Sequence, residues 1–212
     1  IHSIADENSG EGKCFVLMGA QTHPEIIGVL SYAKGEKCVF PTADALQSAI
    51  NNGQLGDLHK KSVIIAAQTT FDLSEWKKTQ KISKKLCTNE VIFDTICGVT
   101  EKRQTEAKAL AKQCGLMIVI GGSDSSNTRK LYEICKNNCP STYLVADDRE
   151  LRALMPEIKS LISREKTGIV AGASTPADII QEVYKTMSET TEIKAENFEE
   201  MLESSLTTLN TG

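Results

Sequence analysis

Along the first 188 residues, short apolar runs rich in β-branched side chains alternate with longer segments whose apolar residues recur at helical spacing. The runs are Phe15 to Met18, Ser62 to Ala67, Leu116 to Ile120, Thr142 to Val145 and Gly168 to Val170. Most are followed by a polar turn and then by a helical pattern of about 10 to 15 residues. Strands alternating with helices in this way predict βα units in parallel sheets, an α/β fold.

The turns are more informative than the strands. They read Gly19-Ala-Gln-Thr-His-Pro-Glu25, Ala67-Gln-Thr-Thr-Phe-Asp72, Gly121-Gly-Ser-Asp-Ser-Ser-Asn127 and Ala171-Gly-Ala-Ser-Thr-Pro-Ala-Asp178. Each lies at the carboxyl end of a strand, where open α/β sheets place their ligands. A helix beginning just after Ser125 to Asn127 offers unpaired backbone N–H groups and a partial positive charge, which favour an oxyanion such as phosphate. Gly121 and Gly122 allow the backbone to approach a ligand closely. Ser, Asn and Asp are also the preferred helix N-caps, so capping is the competing explanation for any one of these turns. Four turns with this chemistry, one carrying His23 and one the Thr69-Thr70 pair, point to a shared anion site. Neither a Gly-x-x-x-x-Gly-Lys-[Ser/Thr] loop nor a Gly-x-Gly-x-x-Gly fingerprint occurs, which leaves nucleotide binding unsupported.

Charge marks a boundary near residue 188. Residues 189 to 212 hold six glutamates and one lysine, while the first 188 hold 23 basic and 22 acidic side chains. In that acidic tail Phe198, Met201, Leu202, Leu206 and Leu209 recur near helical spacing, so a short amphipathic helix competes with a solvated linker. No apolar run approaches the roughly 20 residues of a membrane span, and no basic, aromatic surface suggests nucleic acid. The chain opens on Ile1-His2-Ser3 without a secretory signal, which reads as an internal start. Seven cysteines without a Cys-x-x-Cys pair point to reduced thiols in a cytoplasm. Cys14 and Cys114 sit in ordinary core positions. Cys135 and Cys139 have the spacing of a metal pair, but no histidine or further cysteine lies nearby to complete it.

A fifth turn differs from the rest. In Ile92-Phe-Asp-Thr-Ile-Cys-Gly-Val-Thr-Glu-Lys-Arg-Gln104, Cys97 follows an apolar run and precedes the helical pattern from Glu101 to Lys112. A cysteine at a helix N-terminus suits a nucleophile or an iron ligand, although a buried structural cysteine is the commoner case.

Taken together, Gly19 to Gly28 with His23-Pro-Glu25, Ala67-Gln-Thr-Thr70, Asp94-Thr-Ile-Cys97 with Arg103-Gln104, Gly121 to Asn127 and Ala171-Gly-Ala-Ser-Thr-Pro176 resemble, in this order and spacing, the LytB family of 4-hydroxy-3-methylbut-2-enyl diphosphate reductases. The resemblance covers about residues 1 to 187. It implies the second and third of three similar α/β lobes, here residues 1–95 and 96–187, followed by an acidic linker or tail, 188–212. The family's lobes surround a central 4Fe-4S cluster held by one cysteine from each, and Cys97 matches the third ligand. The other two ligands belong to a Gly-Phe-Cys and an Ala-Thr-Cys-Pro motif, neither of which occurs in this sequence.

The same resemblance implies roles. His23, Thr70, Ser125, Ser126, Asn127 and Ser174 would bind the diphosphate substrate. Glu25 and Thr69 would be catalytic, Glu25 supplying a proton directly or through Thr69 as two electrons from a ferredoxin or flavodoxin expel the allylic hydroxyl as water. The products would be isopentenyl and dimethylallyl diphosphates. The segment Ala195-Glu-Asn-Phe-Glu-Glu-Met-Leu-Glu-Ser-Ser-Leu-Thr-Thr-Leu-Asn-Thr-Gly212 resembles the linker that joins some such reductases to ribosomal-protein-type RNA-binding barrels. The expectation is therefore a piece of a reductase lacking its first lobe and inactive alone. A diphosphate-binding module without redox chemistry and a tethering domain for an RNA-binding protein are the alternatives.

Overall fold

In the computed structural model, residues 1–57, 60–87 and 89–190 are described. The acidic tail, with the amphipathic helix and the linker expected there, lies outside the described residues beyond position 190. Contacts divide the chain into two compact units, Ile1–Glu101 and Lys102–Gly212.

The first unit runs α1 (His2–Asn8), β1 (Lys13–Met18), α2 (Pro24–Tyr32), β2 (Glu36–Phe40), α3 (Ala43–Asn51), β3 (Ser62–Ala67), α4 (Leu73–Leu86), β4 (Glu90–Ile92) and the start of α5 (Gly98–Ala111). The second continues with β5 (Leu116–Ile120), α6 (Ser126–Asn138), β6 (Thr142–Val145), α7 (Asp148–Ile162), β7 (Thr167–Ala171) and α8 (Ala177–Thr190). The division between units falls inside α5, six residues beyond the change of lobe expected at 95/96. The α/β fold with parallel sheets follows the sequence pattern: among the described residues all pairings are parallel, in the orders β2-β1-β3-β4 and β6-β5-β7.

Central strands are apolar at successive positions because both of their faces are covered. On β1, Cys14, Val16 and Met18 pack with Leu46 and Ala49 of α3 and Trp76 of α4, while Phe15 and Leu17 pack with Ala5 of α1 and with Ile26 and Val29 of α2. The second sheet repeats the arrangement. Leu116, Ile118 and Ile120 of β5 meet α7 and α8 on one face, and Met117 and Val119 meet Ala107 and Ala111 of α5 and Leu131 and Cys135 of α6 on the other. Cys14, Cys135 and Cys139 are buried in these cores, and Cys114 is partly buried.

Two strands escape the hydrophobic pattern. β2 begins with the exposed pair Glu36 and Lys37, and β4 has only three residues. Both are edge strands, paired on one side only, so neither needs the unbroken apolar run of a central strand. Among the described residues no helix is long and apolar enough to cross a membrane.

One ionic contact sets an acid-sensitive feature of the first unit. Glu75 on α4 accepts from Ala43 N at 2.9 Å at the start of α3, and pairs with Lys78 at 2.7 Å. The hydrogen bond from Lys78, opposed by burial and reinforced by the Ala43 N–H, holds the Glu75 carboxyl below its usual range. A carboxyl depressed by folding stabilises above its unfolded pKa of about 4.3 and loses that contribution as pH falls through the folded value. Urea unfolding of Glu75→Gln is therefore expected to show a flatter loss of stability below about pH 4.3 than the parent chain; identical slopes would remove this contact from the acid limb. Phe15→Ala is expected to cost about 3–5 kcal/mol, the range for an emptied aromatic core site, against less than about 0.5 kcal/mol for Val91→Ala on the exposed edge strand.

Candidate functional site

Each sheet reverses its winding at its centre. From β1 the chain crosses by α2 to β2 on one side, and β3 pairs on the other side. The crevice outside the carboxyl ends of two such strands is where α/β sheets bind ligands. In the second unit β5 holds the corresponding place, with β6 and β7 on its two sides.

At the first carboxyl end, α2 begins at Pro24 with His23 as N-cap. His23 Nδ1 accepts from Glu25 N at 3.2 Å, so the neutral ring carries its proton on Nε2, leaving that N–H as a donor. Glu25 lies in the first turn of α2. Its carboxylate is held at both oxygens by one residue beyond β3: Thr69 N donates to Oε1 and Thr69 Oγ1 to Oε2, each at 3.0 Å. A hydroxyl bonded in this way keeps a lone pair for a ligand and can pass a proton between the ligand and the carboxyl. Thr70 Oγ1 accepts from the buried Gln68 Nε2 at 3.0 Å. Capping does not account for Thr70, because the N-cap of α4 is Asp72.

Cys97 joins this group by backbone. Thr95 stands in for a further strand residue, its Oγ1 accepting from Ala67 N at 2.8 Å and donating to Ala67 O at 2.5 Å. Asp94 accepts from Trp76 Nε1 at 3.1 Å. Cys97 N then donates to Thr69 O at 3.1 Å, and Cys97 O takes the first helical bond of α5 from Glu101 N at 3.0 Å. The Cys97 thiol is free and exposed, unlike a core cysteine. Within the first unit the structure thus brings His23, Glu25, Thr69, Thr70 and Cys97 to one end of one sheet.

At the carboxyl end of the second sheet, Ile120 and Ala171 are paired neighbours, so the turns after β5 and β7 start side by side. Gly121 adopts φ 138°, a region open to glycine, and an added Cβ there would lie 2.7 Å from Thr175 Oγ1. A Cβ on Gly172 would meet Thr128 Oγ1 at 2.2 Å, so glycine is what permits the β7 turn to close on the start of α6. Thr175 Oγ1 ties the turn down by donating to Ile120 O at 3.1 Å.

α6 starts at Ser126, one residue after its N-cap Ser125, whose Oγ accepts from Thr128 N at 3.3 Å. Capping therefore accounts for Ser125 and not for Asn127, which lies within the first turn, earlier than the start expected after position 127. Asn127 is 6% exposed, and among the described residues neither Oδ1 nor Nδ2 has a hydrogen-bond partner. Thr128 Oγ1, fully buried, is also without one. Buried polar atoms are nearly always satisfied in native proteins, and exceptions point to a missing water, ion or ligand. Ser126 is partly buried and Ser174 exposed in the turn after β7.

The residues that sequence reasoning passed over are those that hold others in place. Gln68, Thr95 and Arg103 all lie in the family-like segments, but nothing in their spacing signals a role. Arg103 Nη1 donates to Ala171 O at 2.9 Å, a pairing across 68 residues of chain. Among the described residues no group of three or more His, Cys, Asp or Glu side chains is arranged to hold a metal ion. Cys97 fits one thiolate corner of an iron-sulfur cluster, but the described residues do not supply a full set of cysteine ligands.

A protein-family model described as LytB protein matches residues 1–188. A curated protein of Nitratiruptor sp. named 4-hydroxy-3-methylbut-2-enyl diphosphate reductase is 38% identical over 184 residues, covering 87% of this chain and 62% of that protein. A protein of Clostridium acetobutylicum with the same name is 36% identical over 178 residues, covering 84% of this chain and 26% of that protein. The chain thus spans less than two thirds of these relatives. The solved E-1-hydroxy-2-methyl-but-2-enyl-4-diphosphate reductase of Plasmodium falciparum shares the fold with a TM-score of 0.74 at 23% identity, covering 88% of this chain and 56% of that one.

Ser125 and Asn127 should separate in unfolding experiments without ligand. Ser125→Ala removes a cap and is expected to cost about 0.5–2 kcal/mol. Asn127→Leu, of similar shape, removes an amide with no bonds to lose and is expected to leave stability unchanged or raise it. A loss above about 2 kcal/mol in Asn127→Leu would mean that the amide is bonded in solution.

Proposed function

Because the chain belongs to the LytB family over residues 1–188, we propose that it forms part of a 4-hydroxy-3-methylbut-2-enyl diphosphate reductase. The reaction is reductive dehydroxylation of an allylic diphosphate to isopentenyl and dimethylallyl diphosphates: two electrons and two protons enter, the allylic C–O bond breaks, and water leaves. Cys97 would be one ligand of a 4Fe-4S cluster, whose remaining cysteines are expected in the part of the relatives that this chain does not span. When bound, the cluster would supply the two electrons, drawn from a ferredoxin or flavodoxin. A cytoplasmic location and RNA recognition through a fused domain of the kind the tail resembles belong to the same proposal.

The observation that carries the reading is the buried, unpartnered Asn127 amide in the first turn of α6. A diphosphate brings acceptor oxygens to Asn127 Nδ2, to the hydroxyls of Ser125, Ser126 and Ser174, and to the positive end of the α6 dipole. In the first unit His23 would donate from Nε2 to the same class of ligand, and Thr70 would bind it as well. Glu25 would supply the proton through Thr69 Oγ1, a relay supported by the 3.0 Å bond between them. The relatives reported above are named as reductases, which lends no support to a binding module or a tethering domain without redox chemistry.

Calorimetric titration of the full chain with inorganic diphosphate tests the cradle. Binding is expected to weaken with salt, and Asn127→Leu is expected to reduce affinity on the order of tenfold or more, the worth of one charge-assisted hydrogen bond. Equal affinities in the two folded proteins would return this turn to helix initiation. In a reductase containing this segment, Glu25→Gln is expected to lower turnover by about two to four orders of magnitude with little change in substrate affinity; unaltered turnover would leave Glu25 as a first-turn charge on α2.

A further inference from the structure

We propose that Arg103 is the built-in counter-charge of the Ser125–Asn127 cradle, a positioning residue that favours a diphosphate-class anion from beneath the β7 turn without touching it. The inference rests on the reading of that cradle as a diphosphate site and names what makes its floor hospitable to negative charge.

The carboxyl ends of parallel strands expose carbonyl oxygens, which repel an anion. At this end the last carbonyl of β7, Ala171 O, is taken by the Arg103 guanidinium at 2.9 Å. Ala171 pairs with Ile120, the last residue of β5, so the guanidinium lies where both turns leave the sheet. The next residue, Gly172, faces Thr128 Oγ1 so closely that a Cβ would come within 2.2 Å of it, and Thr128 follows Asn127 in α6. Arg103, the β7 turn and the first turn of α6 are thereby one contiguous assembly.

A positive charge is costly in this position. Arg103 is half-buried, and burial pulls its pKa below the usual guanidinium range. It remains a cation at neutral pH all the same. Among the described residues the Glu106 carboxylate acts on it by charge, and Glu106 also pairs with Lys102 at 3.7 Å. A fixed cation at the base of buried amide and hydroxyl donors lowers the cost of bringing in a multiply charged ligand.

The experiment is calorimetric titration of the full chain with inorganic diphosphate at low and moderate salt, each protein checked by circular dichroism. Arg103→Gln and Arg103→Met, both uncharged, are expected to bind about tenfold or more weakly and to show a shallower salt dependence than the parent, whereas Arg103→Lys, which keeps the charge but not the planar fork, should stay within about threefold. A merely structural arginine predicts another pattern: all three variants would lose stability, while the folded fraction bound diphosphate as the parent does. Parent-like affinity in a folded uncharged variant overturns the proposal, as does a loss in Arg103→Lys equal to that in Arg103→Gln. Failure of both uncharged variants to fold also overturns it, since the charge would then serve the fold. If the parent does not bind diphosphate, or Asn127→Leu binds it equally well, the cradle reading fails and this one with it. Asn127-dependent binding that ignores Arg103 removes the counter-charge alone.

Discussion

Parallel strands cannot be joined by a tight turn, and most of this molecule follows from that constraint. Each connection must cross back over a face of the sheet, so helices cover both faces and the central strands β1, β3 and β5 are apolar at nearly every position. When successive crossings use opposite faces, the loops at the carboxyl ends diverge and leave a crevice. Both sheets here do so, the first with α1 and α2 on one face and α3 and α4 on the other, the second with α5 and α6 opposed to α7 and α8. The residues with chemistry sit at those divergences, where open α/β sheets place their ligands.

The two carboxyl ends are prepared differently. The first is held by a hydrogen-bond network: Thr69 holds both oxygens of Glu25, Gln68 holds Thr70, and Thr95 and the Cys97 N–H fix the loop after β4 against β3. Such a network sets the positions of a carboxyl and a hydroxyl between which a proton can travel. The second leaves buried polar atoms of Asn127 and Thr128 without a hydrogen-bond partner among the described residues. An unsatisfied buried amide costs stability, and it persists where a ligand is to complete it. On the reading proposed above, the first end would handle a proton and both ends would offer donors to an anion.

The sequence by itself determined the α/β class, the central strands and the four polar turns after β1, β3, β5 and β7. Apolar runs of β-branched residues followed by Gly, Ser, Thr and Asn are written in local chemistry, which survives without the fold. Membership of the LytB family was legible for the same reason, since its motifs are those turns. Local pattern failed at the edges of the first sheet. β2 and β4 are strands because a neighbour offers them hydrogen bonds, and not because their residues demand it. Capping, which competes with ligand binding at every Ser-rich turn, was likewise undecided until Ser125 and Asp72 proved to be the caps and Asn127 and Thr70 did not. Only tertiary structure could bring Thr69 to Glu25 across 44 residues, or Arg103 to Ala171 across 68. Contacts of that kind leave no periodic signature in the chain, because they depend on where two distant turns meet when the sheet between them has formed.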